Sequence, residues 1–187
     1  LPAADIKRLK LDAFDRSNDL KPLSVVTGDI IAKNAYEWSK ATESPLAQAA
    51  VRGAEKITVR PLLGHSGKAV KLPKGASLSY DFYCDKSGDA RFTIAAIPCF
   101  LNAVKDMRVS VSIDRGEPVI CQLKEVYNSK DWQFDLWRGQ TLKSFYVTLP
   151  GGSHNVTIKA LDDNVMIDQW VLDYDVDREY YVFPVAK

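Results

Sequence analysis

From Ser77 to Ala96 the chain alternates apolar and polar residues with a period of two, and only a pleated strand gathers such a pattern onto one face. Leu78, Tyr80, Phe82 and Cys84 fall on one side, with Ser77, Ser79, Asp81 and Tyr83 on the other. Lys86 to Asp89 supplies a turn, and Phe92, Ile94 and Ala96 resume the inward row. A helix would scatter the same residues around its axis. The pattern recurs downstream. Met107, Val109, Val111 and Ile113 alternate with Arg108, Ser110 and Ser112. Asp114 to Gly116 is a hairpin signal, and Val119 to Leu123 is its return strand. Phe145, Val147 and Leu149 lead into Pro150 and two glycines, after which Val156, Ile158 and Ala160 alternate with Asn155, Thr157 and Lys159. Val165, Ile167, Trp170 and Leu172 close the series with less regular spacing.

One flat sheet cannot hide this many inward rows. The chain is therefore expected to be all-β, a two-sheet antiparallel sandwich or jelly roll over residues 28–187. Tyr80, Phe82, Phe92, Ile94, Val109, Val111, Ile113, Val156 and Ile158 should point inward. The only helix candidate inside the domain is Pro45 to Glu55 behind a Ser44 cap, and it reads equally as a long loop. Residues 1–27 differ: charges surround Ile6, Leu9, Leu11 and Phe14, and Pro22 breaks any helix. They read as a linker or the tail of a preceding domain, packing little against the sandwich.

Composition removes several function classes. Hydrophobic residues at 46% allow a sizeable core. Lys and Arg number 25 against 24 Asp and Glu, with no basic excess on one stretch, so no nucleic-acid partner is expected. No apolar run approaches the ~20 residues of a helical membrane span, and no membrane partner is expected. Cys84, Cys99 and Cys121 fit neither a disulfide framework nor a metal motif; they read as buried thiols, with one disulfide left open. Zinc-protease, phosphate-loop and dinucleotide motifs are absent. His65, between Gly64 and Ser66, reads as a turn residue, and His154 as a surface or edge residue. No catalytic residue is assigned.

The order of several motifs resembles the C-terminal domain of glycoside hydrolase family 115, α-glucuronidases acting on glucuronoxylan. The resemblance rests on Arg108 to Pro118, Ile97 to Cys99, Leu149 to Lys159, Val165 to Asp173 and the Leu63 to Gly67 loop. It covers about residues 29 to 184. It implies a galactose-binding-like sandwich, similar to carbohydrate-binding modules, that is non-catalytic and accompanies catalytic domains elsewhere in a secreted or periplasmic parent. The implied partners are neighbouring domains of that parent and plant polysaccharide (xylan).

Two lines of residue reading bear on a site. Exposed aromatics beside polar groups suit sugar rings or a neighbouring domain, and the polar segment from Tyr127 to Gln140 joins Trp132, Trp137 and Arg138. Tyr36 and Trp38 form a second set, and Trp170 reads as core or sheet surface. Any ligand site is expected in end loops rather than on a strand. Among the carboxylates, Asp173, Asp175 and Asp177 read as one solvated strand face. A structural calcium would use Asp168 and Asp173 as late ligands, but Lys33 sits where an early glutamate would be needed, so no cofactor is expected.

Overall fold

The structure, a computed structural model, describes residues 29–100, 104–180 and 183–184. The expectations for residues 1–27 lie outside the described residues. In chain order the first elements are β1 (Ile30–Asn34), β2 (Lys40–Thr42), α1 (Pro45–Gln48), β3 (Thr58–Pro61), β4 (Lys68–Leu72), β5 (Ser77–Cys84) and β6 (Gly88–Ala96). Then come β7 (Arg108–Ile113), β8 (Val119–Gln122), α2 (Lys130–Arg138), β9 (Thr141–Leu149), β10 (Gly152–Ala160) and β11 (Val165–Asp173).

The strands form the anticipated two antiparallel sheets. One runs β3-β4-β11-β6-β9, and the other β2-β5-β10-β7-β8. Strand β11 pairs with β4 through Val165 to Ile167, and along the same edge with β1 through Gln169 to Asp173. The inward rows meet between the sheets. Tyr80, Phe92, Ile94, Val109, Val156 and Ile158 are completely buried, Phe82 and Val111 nearly so, and Ile113 packs half-buried against the same core. Trp170 sits among them, its ring centroid 5.3 Å from Phe92, 5.5 Å from Phe82 and 5.6 Å from Tyr80. Each such pair adds roughly 0.5–1.5 kcal/mol beyond area burial. The β7–β8 hairpin closes as anticipated, with Asp114 (φ 51°) and Arg115 (φ 62°) both left-handed and Gly116 N–H donating to Ile113 O at 2.8 Å. That is a type I′ turn, whose twist matches its flanking strands.

Four expectations need correction. The helix from Pro45 stops at Gln48, although Ser44 Oγ does accept Ala47 N–H at 3.3 Å. No residue of α1 is buried, so nothing supports further turns. The segment from Tyr127 to Gln140, whose polar composition reads as a loop, contains the nine-residue helix α2. His154 is only 7% exposed, because it continues the inward row of Val156 and Ile158. Asp173 is completely buried, while Asp175 and Asp177 are exposed. Strand β11 ends at Asp173, and the following chain crosses the outer side of the six-stranded sheet, where Phe183 packs on Ala95 and Val171 beside Tyr180. Arg178 Nε lies 3.0 Å from the Asp173 carboxylate, which also accepts the Tyr180 hydroxyl and Asp175 N–H. Cys84 and Cys121 are buried and Cys99 half-buried, all three free.

Candidate functional site

The predicted aromatic segment owes its shape to local caps. Ser129 Oγ accepts Trp132 N–H at 3.1 Å, and left-handed Gly139 (φ 71°) donates its N–H to Asp135 O at 2.8 Å. Between these caps the helix is inverted in polarity. Asp135 is its one buried residue, accepting the Thr141 hydroxyl at 2.5 Å. Burial pushes the Asp135 carboxyl up to about 6 against the opposing pull of that hydrogen bond. Phe134, Leu136 and Trp137 are 51%, 50% and 76% exposed.

The tryptophans of α2 do not share a face. At 100° per residue they point 140° apart, so they cannot make one platform. Trp132 is half-buried between Phe100 and Tyr127, at centroid distances of 5.5 and 5.1 Å. Trp137 faces solvent with Phe134, 5.8 Å away. Arg138 offers its carbonyl, which accepts His65 Nε2–H at 2.9 Å and ties the β3–β4 loop to the helix end.

That loop is held by Asp168. In the β11–β6 ladder Ile167 pairs with Ala96 but Gln169 with Ala95, so Asp168 is the extra residue of a β-bulge. Its buried carboxylate accepts His65 N–H at 2.7 Å, Ser66 N–H at 3.2 Å, Ser66 Oγ–H at 2.5 Å and Gln140 Nε2–H at 2.7 Å. Loop, helix end and bulge are thus one unit. Leu62 projects from it, 97% exposed and left-handed at φ 61°.

The second predicted set stays apart. Tyr36 and Trp38 are half-buried against the main core. Asn34 Nδ2 donates to the Tyr36 hydroxyl at 3.1 Å, and Lys68 Nζ lies 5.2 Å from the Tyr36 ring. Among the described residues no ring pair joins Tyr36 or Trp38 to Trp132 or Trp137.

The carboxylates considered for calcium are engaged by protein donors. The Asp168 oxygens receive four hydrogen-bond donors, and Asp173 receives a guanidinium, a hydroxyl and an amide. Lys33 is the register partner of Trp170.

Sequence reasoning missed a feature on the five-stranded sheet, a shallow groove of about 570 Å³ lined by Asp81, Phe82, Tyr83, Asp114, Ser153, His154 and Asn155. His154 anchors one wall. Its Nδ1 lies 2.5 Å from Asp114 Oδ2 and its Nε2 2.8 Å from Pro150 O. Both partners accept, so the form this arrangement stabilises is the imidazolium, which donates from both nitrogens. The signal was present in the alternation, which places His154 on the same row as Val156.

Comparison with known proteins follows the fold. The family described as Glycosyl hydrolase family 115 C-terminal domain matches residues 27–186. No curated protein matches. Among solved structures, a family GH115 4-O-methyl-alpha-glucuronidase with specificity for decorated arabinogalactans is similar, with 27% identity and a TM-score of 0.66. The match covers 80% of this chain and 18% of that enzyme. The C-terminal CBM6 of a Zobellia galactanivorans laminarinase is similar at 16% identity and TM-score 0.53, covering 78% of this chain and 99% of the module. A family 35 carbohydrate-binding module from Clostridium thermocellum gives 14% identity and TM-score 0.53, covering 76% and 98%. The two modules share the fold.

Proposed function

Since the chain belongs to the glycosyl hydrolase family 115 C-terminal domain family, we propose that it is the non-catalytic accessory domain of a secreted α-glucuronidase-type enzyme, serving a structural role by packing on the rest of its parent. The observation that carries this reading is the inverted helix α2. It turns Phe134, Leu136 and Trp137 outward and a carboxylate inward, the reverse of a helix finished by its own domain. Exposed Leu62 extends from the loop tied to the same helix end. Aromatic and aliphatic groups of this kind form the centres of domain contacts. The chain matches only 18% of the similar enzyme, so most of such a polypeptide is available as the covering surface. The parent's substrate is a uronic-acid-decorated plant polysaccharide, glucuronoxylan on the motif resemblance, with the similar enzyme's decorated arabinogalactans as the competing case.

Isothermal titration of this chain against the parent truncated ahead of it tests the role. Micromolar association, lost in Phe134→Ser with Trp137→Ser, supports it. Sedimentation of the chain as a dimer dissociated by the same substitutions would assign α2 to self-association instead. The second reading is a glycan-binding module, favoured by the carbohydrate-binding modules that share the fold. Retention on insoluble xylan without association to the parent would favour it.

A further inference from the structure

We propose that the outer face of the five-stranded sheet carries a site for a neutral glycan chain, built from Tyr83, Asp81, Asn155 and Asp114. It lies on a strand face, away from Trp132 and Trp137, and Ser39, next to Trp38, borders it by accepting Asp81 N–H at 3.0 Å. Tyr83 is 63% exposed, and its register partner on β10 is Ser153, too short to cover the ring. Strand β2 pairs with β5 only along Ser77 to Ser79, so among the described residues no strand pairs with the other flank of Tyr83. Asp81, two residues before, stands about 7 Å along the strand at ~3.4 Å per residue. Across from it is Asn155.

The polar groups are held from within the protein. Asn155 Nδ2 donates to Asp81 Oδ1 at 2.7 Å, and its own Oδ1 accepts the Thr157 hydroxyl at 3.2 Å. Asp114 accepts Asn155 N–H at 2.9 Å on one oxygen and buried His154 on the other, yet its side chain remains 45% exposed. Two oriented carboxylates therefore border an open aromatic ring, across the groove of about 570 Å³. Supporting hydrogen bonds of this type fix contact groups before a ligand arrives.

This chemistry selects its ligand. Ionised carboxylates take strong hydrogen bonds from hydroxyl donors, and the uncovered ring offers an apolar plane for the C–H face of a pyranose. A uronate or phosphate would be repelled by Asp81 and would gain nothing from Asp114, whose charge His154 already balances, so the occupant is an undecorated stretch of polysaccharide. The contrast with α2 is complete: there the carboxylate is buried and the apolar groups are displayed, which suits protein.

The test is an amide NMR titration of this chain with xylohexaose, cellohexaose and laminarihexaose, and separately with calcium chloride. At least one hexasaccharide should shift residues 81–83, 112–116 and 153–157, with a Kd of roughly 0.1–1 mM, the ~5 kcal/mol scale of a small open site. Tyr83→Ala and Asp81→Ala should each weaken it at least tenfold with unchanged melting, since both side chains are exposed, while Trp137→Ala leaves it intact. Four results would overturn the site: no hexasaccharide shifting these amides, affinity surviving Tyr83→Ala, shifts centred on residues 127–138, or calcium chloride alone reproducing the pattern.

Discussion

A β-carbon on Gly64 would lie 2.3 Å from Oδ1 of Asp168, inside the distance any real contact tolerates. The two residues meet because the bulge in β11 brings the Asp168 carboxylate under the β3–β4 loop, where it gathers donors from His65 and Ser66. The glycine backbone must be left-handed, at φ 79°, for the loop to wrap that carboxylate.

Gly64→Ala should accordingly destabilise the domain by about 2–4 kcal/mol, combining backbone strain with displacement of a buried charge. At roughly 2–4 °C per kcal/mol for a chain of this size, melting should fall by about 10 °C. The same substitution at Gly67, which has open space at its β-position, should cost only the left-handed strain of about 1 kcal/mol. Equal melting of the two variants would disprove the clamp.

The His154–Asp114 pair makes stability depend on pH. Burial alone, the largest single influence, would lower the imidazole and raise the carboxyl; the shared hydrogen bond, the Pro150 carbonyl on the ring, the Asn155 amide on the carboxylate and the attraction of the two charges together outweigh it, moving His154 up and Asp114 down. The raised histidine contributes stability that is complete below its unfolded value of about 6.5 and is lost as pH climbs through the folded one. The depressed carboxyl contributes above its unfolded value of about 3.9 and fails as pH falls further. Melting temperature should peak between these limits and decline as pH rises above about 6.5. In Asp114→Asn that alkaline decline should flatten; an unaltered slope would remove the pair as its source.

Alternation around Tyr80, Val109 and Val156 exposed the sheets, because the pleat imposes one period on every strand. The uneven step from Ile167 to Trp170 was the trace of the bulge at Asp168, visible as irregularity but unreadable without its partner strand. Helix α2 was hidden because its apolar residues point outward and give no core-facing stripe; only Ser129 and Gly139 betrayed its ends. The groove depends on β5 lying beside β10, a pairing across some seventy residues that local pattern does not encode.

Asp135 supplies a second, separable pH effect. Its folded carboxyl is raised to about 6, so the protonated form suits the fold and stability is lost as pH rises from about 4 to 6. Above that range a fixed deficit remains. Asn reproduces the neutral form and can still accept from Thr141. Asp135→Asn should raise stability by on the order of 1–2 kcal/mol at pH 8 and leave it unchanged at pH 4. A gain of equal size at both pH values would mean that charge is not the cause.

Trp132 and Trp137 lie five residues apart on one helix, yet they should behave oppositely when truncated. Trp132 is half-buried between Phe100 and Tyr127, so Trp132→Ala removes two ring contacts and buried area worth roughly 2 kcal/mol. Trp137 is 76% exposed and touches Phe134 alone among the described aromatic rings, so Trp137→Ala should change melting by less than ~0.5 kcal/mol in the isolated chain. Association reverses the ranking. An exposed tryptophan at the centre of a covered face typically accounts for 2 kcal/mol or more of binding, about thirtyfold in affinity. Titration against the truncated parent should show that loss for Trp137→Ala, with the folded state intact. If melting falls for Trp137→Ala while association holds, the helix face is already covered by its own domain, and the docking role fails.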